Sequence, residues 1–504
     1  MVRHTLVGET EHSEQHVVPQ HRATRARAMS EVRDGFVLAG GGFKGAFELG
    51  ALQHLIGDLG IAPKVITATS AGAVLGTVVA QGRTAEECAA RLVDAEGDLM
   101  AMTRTDVVFG EQPWLAQLDG TTASETIHRL VTEHGRPELD DDWEELQAEA
   151  VALMGDDGDD VGAGATDAGR RGNDEPGAGS ARARGRHHVE QVAAFTRGLA
   201  GGRHLEHGLP RAALNLGPFE QSIRGRAGTD VGIATVDPAL VARDGLELRL
   251  AVTALKERAT HYVTQDGRLV DSDARTPIVA AGTIDVIDGV IASASVPGVF
   301  PPRPIGGDHY VDGGCLQNIP LRAAVDLGAT RIHTLVAVPV RQPKRSISLW
   351  AAESLGYLST QADNLAVELP DGVTNTVIQP TIEVVGSFEV HPGLMRIDIH
   401  YGRMRAQECT AELDPGLDPI VKMASDTVTT MRQLAWQLEQ HCLDEARMDA
   451  VHLDRLRTLK RSVRSALEAR AALGFAAPQG SEQWWQGWEL HSAPRPAQFP
   501  ADFV

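Results

Sequence analysis

Phe36–Gly50 reads FVLAGGGFKGAFELG, and Val65–Gly76 reads VITATSAGAVLG. Each is an apolar, β-prone run, then a cluster of small residues, then a run of helical character. That is strand, tight turn and helix, twice over. In the first, Phe47, Leu49, Leu52, Leu55, Ile56 and Leu59 recur at helical spacing, and Gly60 closes the helix. The first turn leaves backbone N–H groups at a helix N-terminus, a place suited to negative charge. The second sets one hydroxyl, Ser70, at the corner between strand and helix. A hydroxyl on a strained elbow beside an anion cradle is what acyl transfer requires. Read alone, Ser70 would simply cap the helix expected at Ala71–Gln81.

Outward from this pair, residues 1–34 are polar and contain no apolar secretion segment. Arg22, Arg25 and Arg27 hint at a targeting peptide, but Glu9, Glu11 and Glu14 dilute that charge and favour a solvated, disordered arm. Thr84–Met102 predicts an amphipathic helix, with Thr84 and Glu87 as a capping box, and Trp114–Gly135 continues helical. Residues 155–188 are a low-complexity run of Gly, Ala, Asp and then Arg, too poor in apolar surface to offset ordering, and are expected to be a disordered insertion. Strands are expected at Leu246–Leu255, Thr260–Thr264, His309–Val311, Arg331–Val338 and Val377–Val385, with QDGR at Gln265–Arg268 as a turn. Helices are expected at Ile284–Ala292 and Asn318–Gly328, and Ser293–Pro302 (SASVPGVFPP) reads as a rigid loop able to line a pocket. The alternation argues for an α/β fold with a mostly parallel sheet covered on both faces. Leu417–Leu473 is long, helical and basic toward its end, and the tail holds Trp484, Trp485, Trp488, Phe499 and Phe503.

GGGFKG at Gly40–Gly45, TSAG at Thr69–Gly72, and YVDGG at Tyr310–Gly314 followed by NIPL at Asn318–Leu321 resemble the patatin-like phospholipase family, in the family's order, across about Phe36 to about Arg405. The resemblance implies a three-layer α/β sandwich and a Ser–Asp dyad without histidine, with Ser70 as nucleophile and Asp312 as base. It implies an oxyanion hole in the Gly40, Gly41, Gly42, Phe43, Lys44, Gly45 loop, with Gly41 and Gly42 N–H as donors. Ala68, Thr69, Ala71 and Gly72 form the nucleophile elbow, and Gly313 and Gly314 the aspartate turn. Lys44 stands where the family carries a basic residue. The substrate class implied is a fatty-acyl ester of a lipid or phospholipid, with no metal and no organic cofactor. A carboxylate in water is a weak base, with pKa about 4, so Asp312 needs partial desolvation to accept the proton. Against these readings, Asp312-Gly313 could be a surface turn, Lys44 a solvated lysine, and His309 the base of a histidine variant.

Two rival readings of the glycines fail. A dinucleotide loop needs an acidic residue at the end of the second strand, where this chain has Thr69-Ser70. A P-loop needs GK followed by Ser or Thr, and Lys44 is followed by Gly45 and Ala46. The chain has 504 residues, a hydrophobic content of 42% and a net charge of −21, which supports a large core and opposes nucleic-acid binding. Four cysteines lie far apart, and no run reaches the length of a membrane span. A cytoplasmic chain is expected, with the tail tryptophans leaving peripheral membrane contact open. The domains expected are an arm at 1–34, a catalytic domain at 35–410, a helical region at 411–475 and a Trp-containing tail at 476–504. Ala68 replaces the first glycine of the elbow pattern G-x-S-x-G. That motivates an alternative, a weak or inactive lipid-binding scaffold on the same fold. A toxin or defence effector, its lipase released by a signal through the insertion or C-terminal region, is a third reading.

Overall fold

The alternation of β-prone and helical runs resolves, in a computed structural model, into one nine-stranded sheet with helices on both faces. The structure describes residues 32–102, 108–111, 205–206, 209–210, 212, 214–225, 235–297, 299–339, 365–444, 450–482 and 484–485. The helix expected at Trp114–Gly135, the 155–188 insertion and nearly all of the 1–34 arm lie outside them. The principal strands are β1 (Asp34–Leu38), β2 (Val65–Ala68), β3 (Glu247–Ala254), β4 (Ala259–Thr264), β5 (Leu269–Val270), β6 (Arg303–Ile305), β7 (Asp308–Asp312), β8 (Arg331–Leu335) and β9 (Thr374–Ile378). Five run parallel at the centre, in the order β9-β8-β1-β2-β3. Beyond β3 the pairing turns antiparallel. The first half of one β3 edge takes β2 (Ala68 opposite Leu250) and the second half takes β7 (Asp312 opposite Val252). The other edge takes β4, which carries β5.

Side chains alternate across the sheet as strand geometry requires. Phe36 and Leu38 of β1 and Ile66 and Ala68 of β2 face the large core. That core is shared with α1 (Gly45–Leu52), α2 (Ala71–Ala80), α3 (Ala85–Ala101), α4 (Val286–Ser293), α7 (Pro392–Thr410), α8 (Asp418–Asp444) and α9 (Ala450–Ala472). Val37, Ala39 and Val65 face the second, smaller core against α6 (Leu321–Asp326), which follows the one-turn α5 (Gly314–Gln317). This is the expected layered sandwich.

Local chemistry sets the ends. Thr84 accepts a hydrogen bond from Glu87 N (3.2 Å), capping the helix as expected, while the Glu87 carboxylate accepts from Arg83 N (2.6 Å), one residue before the N-cap N–H of a full capping box. The first helix stops being α at Leu52, and Gln53–Asp58 winds on as a π turn before Gly60 (φ 68°). The strand expected at Val377–Val385 is instead Thr374–Ile378. The apolar pattern runs on, but Pro380 has no N–H to continue a ladder. Asn318–Gly328 is helical only from Leu321 to Asp326, after Pro320. The C-terminal helical region is present as α8 and α9. Trp484 is 3% exposed, with Lys460 Nζ 4.5 Å from its ring centre, so that tryptophan is core.

Candidate active site

Ser70 has φ 54° and ψ −121°. Only Arg258 and Ala274 share positive φ among the described non-glycine residues, and both lie between strands. Such a conformation costs about 1–3 kcal/mol and persists only where the surroundings impose it. Three contacts impose it here. Thr69 N donates to Leu38 O (3.0 Å), joining the corner to β1. Ser70 N donates to Ser293 Oγ (2.9 Å), and Ser293 Oγ donates in turn to Ala251 O of β3 (2.7 Å). Gly72 lets α2 lie against the end of β1, since a Cβ there would stand 2.6 Å from Ala39 O. The elbow is thus fastened to both neighbouring strands through residues 5% exposed or less.

Ala68 fits without strain. It is an ordinary strand residue, paired with Leu38 and Leu250, and needs no glycine dihedrals. The glycine that makes room for its methyl is Gly76 of α2, where a Cβ would lie 3.2 Å from Ala68 Cβ.

Asp312 is fully buried at the C-terminal end of β7. Its Oδ1 accepts from Gly314 N (2.7 Å), and its backbone N donates to Ser295 O (2.9 Å). The aspartate turn is therefore internal, and the surface-hairpin reading is wrong. Register sets Ser70 and Asp312 at one level along β3. Ala68 lies opposite Leu250 and Asp312 opposite Val252, so Ser70, two residues beyond Ala68, reaches the level of Asp312 on the same β3 edge. Alternation along β7 puts Asp312, in phase with Tyr310, on the large-core face. Burial, and secondarily the Asp312 charge, push the Cys315 thiol up to about 12.

The glycine loop divides its donors. Gly40 N donates to Asn318 Oδ1 (3.0 Å), Phe43 N to Ser387 O (3.0 Å), and Gly45 N back to Gly42 O and Phe43 O. Gly41 and Gly42 N–H have no acceptor among the described residues, the state an oxyanion hole requires. Gly42 has φ 62°, and a Cβ on it would stand 2.1 Å from Ser387 O, so only glycine fits. Lys44 is 8% exposed, its Nζ 3.1 Å from Glu383 Oε1. The solvated-lysine reading is thus overturned. Beside the pair, burial pushes the Asp398 carboxyl well above its usual range, a shift that the Lys44 charge opposes and Glu383 reinforces. Glu48 is buried beneath the loop, its Oε1 accepting from Ala39 N (2.9 Å), and burial holds it protonated well above the usual range.

His309 is exposed and out of phase with Asp312 on β7, so it does not reach the site. Among the described residues no group of three or more His, Cys, Asp or Glu is placed to hold a metal ion, and no helix is long and apolar enough to cross a membrane. Sequence reasoning missed Ser293, Glu48, Glu383, Ser387 and Asp398. Ser293 opens the SASVPGVFPP segment and was within reach. The others carry no local pattern.

The model of a family described as patatin-like phospholipase matches residues 36–325. No curated protein gives a significant match. Among solved structures, the crystal structure of VipD from Legionella pneumophila is 13% identical, covers 92% of this chain and 93% of that chain, and has a TM-score of 0.27. The crystal structure of the type III effector protein ExoU is 14% identical, covers 92% of this chain and 72% of that chain, and has a TM-score of 0.23.

Proposed function

We propose, from the premise that this chain belongs to the patatin-like phospholipase family, that it is a serine-type acyl hydrolase of lipid or phospholipid esters acting through Ser70 and Asp312. Ser70 Oγ attacks the ester carbonyl carbon while its proton passes to the Asp312 carboxylate. The oxyanion is held by Gly41 and Gly42 N–H. The proton moves from Asp312 to the departing alkoxide, which leaves as the alcohol, and the acyl group stays on Ser70 Oγ. Water then attacks the acyl carbon with Asp312 again taking the proton, which passes to Ser70 Oγ as its bond to the acyl carbon breaks, releasing the fatty acid and restoring the enzyme. The observation that carries this reading is the positive φ of Ser70 at a strand-to-helix corner, level with buried Asp312 on one β3 edge.

Residues 35–410 are the proposed catalytic domain, with 1–34 as an arm, 411–475 as a helical support and 476–504 as a tail. The proposed setting is cytoplasmic, with lipid met at a membrane surface; none of the four cysteines forms a disulfide. Ala68, the motive for an inactive-scaffold reading, is accommodated by Gly76 and does not favour it.

A fluorophosphonate probe should label wild-type protein at Ser70 and leave Ser70→Ala unlabelled. Ser70→Ala and Asp312→Asn should both abolish hydrolysis of a short-chain fluorogenic ester with unchanged circular dichroism. Full activity in either variant refutes the mechanism.

A further inference from the structure

The Gly40–Gly45 loop is gripped from outside by residues 379–391, the connection from β9 to α7. Gly42 opens a short 3-10 turn that Lys44 ends, with Gly41 capping it. Ser387 O stands against the start of that turn, 2.1 Å from where a Cβ on Gly42 would lie, and accepts from Phe43 N (3.0 Å). Glu383 Oε1 meets the other end, 3.1 Å from Lys44 Nζ. The two charged side chains are 10% and 15% exposed. Water screens such a pair less than it screens a surface pair, and removing one partner strands the other charge.

The connection is itself held fast. Thr381 N donates to Tyr401 Oη (2.9 Å), and Arg405 Nη2 donates to Thr381 Oγ1 (2.6 Å). Tyr401 and Arg405 lie one turn apart on α7, and both are buried. Tyr401 Oη donates on to Asp426 Oδ1 of α8 (2.6 Å), and Arg405 pairs with the same carboxylate. Past Glu383, Gly386 N donates to Glu389 Oε2 (3.0 Å) and so folds the backbone around Ser387. Glu383 is therefore offered to Lys44 from a fixed point. Burial pushes the nearby Asp398 carboxyl well above its usual range, which leaves Glu383 as the counter-charge of Lys44 among the described residues.

We propose that Glu383 is a positioning residue for acyl transfer, which through its ion pair with Lys44 holds the turn that presents Gly41 and Gly42 N–H to the oxyanion. The inference rests on the reading of Ser70 as the acyl-transfer nucleophile. Glu383 acts through Lys44 and the turn, not on substrate. Oxyanion donors serve the transition state far more than the bound ester. A misplacement of about 1 Å can cost roughly 10²-fold in rate. Loss of the pair should therefore appear in kcat and leave KM nearly unmoved.

The test uses the full chain, with kcat and KM for a short-chain ester and the rate of fluorophosphonate labelling. Glu383→Gln, folded by circular dichroism, should lower kcat and the labelling rate at least about tenfold, with KM held within about twofold. Lys44→Met should lose a similar factor. Lys44→Met/Glu383→Gln should be no worse than Lys44→Met alone, because the two residues act as one pair. Should Glu383→Gln not fold, Glu383→Asp carries the test. It keeps the charge but is one methylene shorter, so the turn must move to keep the pair, and kcat should fall while KM holds. Wild-type kcat in the folded variant, a loss carried by KM, or losses that multiply in the double variant each overturn the proposal. So does a gain in kcat, which would show Glu383 restraining a useful cation. A wild-type chain that takes no label at Ser70 refutes the assigned reaction and this inference with it. Equal labelling of wild type and Glu383→Gln refutes this inference alone.

Discussion

Ser293→Ala is the sharpest probe of how the elbow is held. The side chain is fully buried and bridges Ser70 N to Ala251 O, at 2.9 and 2.7 Å. Removing the hydroxyl strands one donor and one acceptor in a site closed to water. Each such group costs about 1–3 kcal/mol. The elbow can recover part of that by letting Ser70 leave its strained φ of 54°, which misaligns Oγ. If about 1–3 kcal/mol appears in the transition state, kcat/KM and the fluorophosphonate labelling rate fall roughly 5- to 150-fold. KM for a short ester should barely move, because Ser293 is buried behind the corner. The control is Ser295→Ala. Ser295 is equally buried, but its hydroxyl donates to Ile291 O of α4, the helix it follows, at 2.7 Å. It should lower Tm while leaving the labelling rate intact. Wild-type labelling in Ser293→Ala, or an equal loss in Ser295→Ala, refutes the reasoning.

Two further outcomes follow from the loop. Glu48 has its pKa raised in the folded chain, so the unfolded chain loses that proton first as pH rises from the ordinary carboxyl range near about 4.3. Its burial therefore costs nothing below that range and increasingly destabilises the fold above it. Glu48→Gln keeps an acceptor for Ala39 N and cannot ionise, so its stability relative to wild type should rise as pH climbs above the ordinary carboxyl range in urea melts; a pH-independent difference would sink this account. Gly42→Ala places a Cβ 2.1 Å from Ser387 O at φ 62°, so the loop must shift. Displacing one oxyanion donor should lower kcat by about 10²–10³, and a wild-type kcat would show that Gly42 N–H is not used.

What the sequence made legible was whatever local spacing encodes. The apolar, β-prone runs from Phe36 and from Val65 marked two strands, and small residues at Gly40–Gly45 and Thr69–Gly72 marked the corners where backbone must approach backbone. Asp312 came into view through the resemblance of YVDGG at Tyr310–Gly314, followed by NIPL at Asn318–Leu321, to the family's motifs. Partners brought from far along the chain were not visible. Ser387 O closes on Phe43 N, and Glu383 meets Lys44, across more than 300 residues with no shared pattern. Glu48 looked like any polar helix residue, yet it is buried because the end of β1 needs an acceptor for Ala39 N. The overextended strand after Thr374 shows the converse error, in which apolar content persisted past a proline that ends pairing.

The elbow also shows why a pattern of glycines need not be read letter by letter. Two different demands hide in G-x-S-x-G. At Gly72 the demand is backbone clearance, because α2 presses on Ala39 O and Leu38 O, atoms that cannot move without breaking β1 from β2. No side chain can satisfy it. At position 68 the dihedrals are those of a paired strand, so the demand is only for volume between strand and helix. Volume can be supplied from either side. Here the helix supplies it, with Gly76 facing Ile66 and Ala68. The Ala68 methyl fills the room that Gly76 leaves, as close packing requires. The substitution at position 68 therefore leaves the Ser70 geometry to be set by Gly72, Ser293 and the β1–β2 pairing.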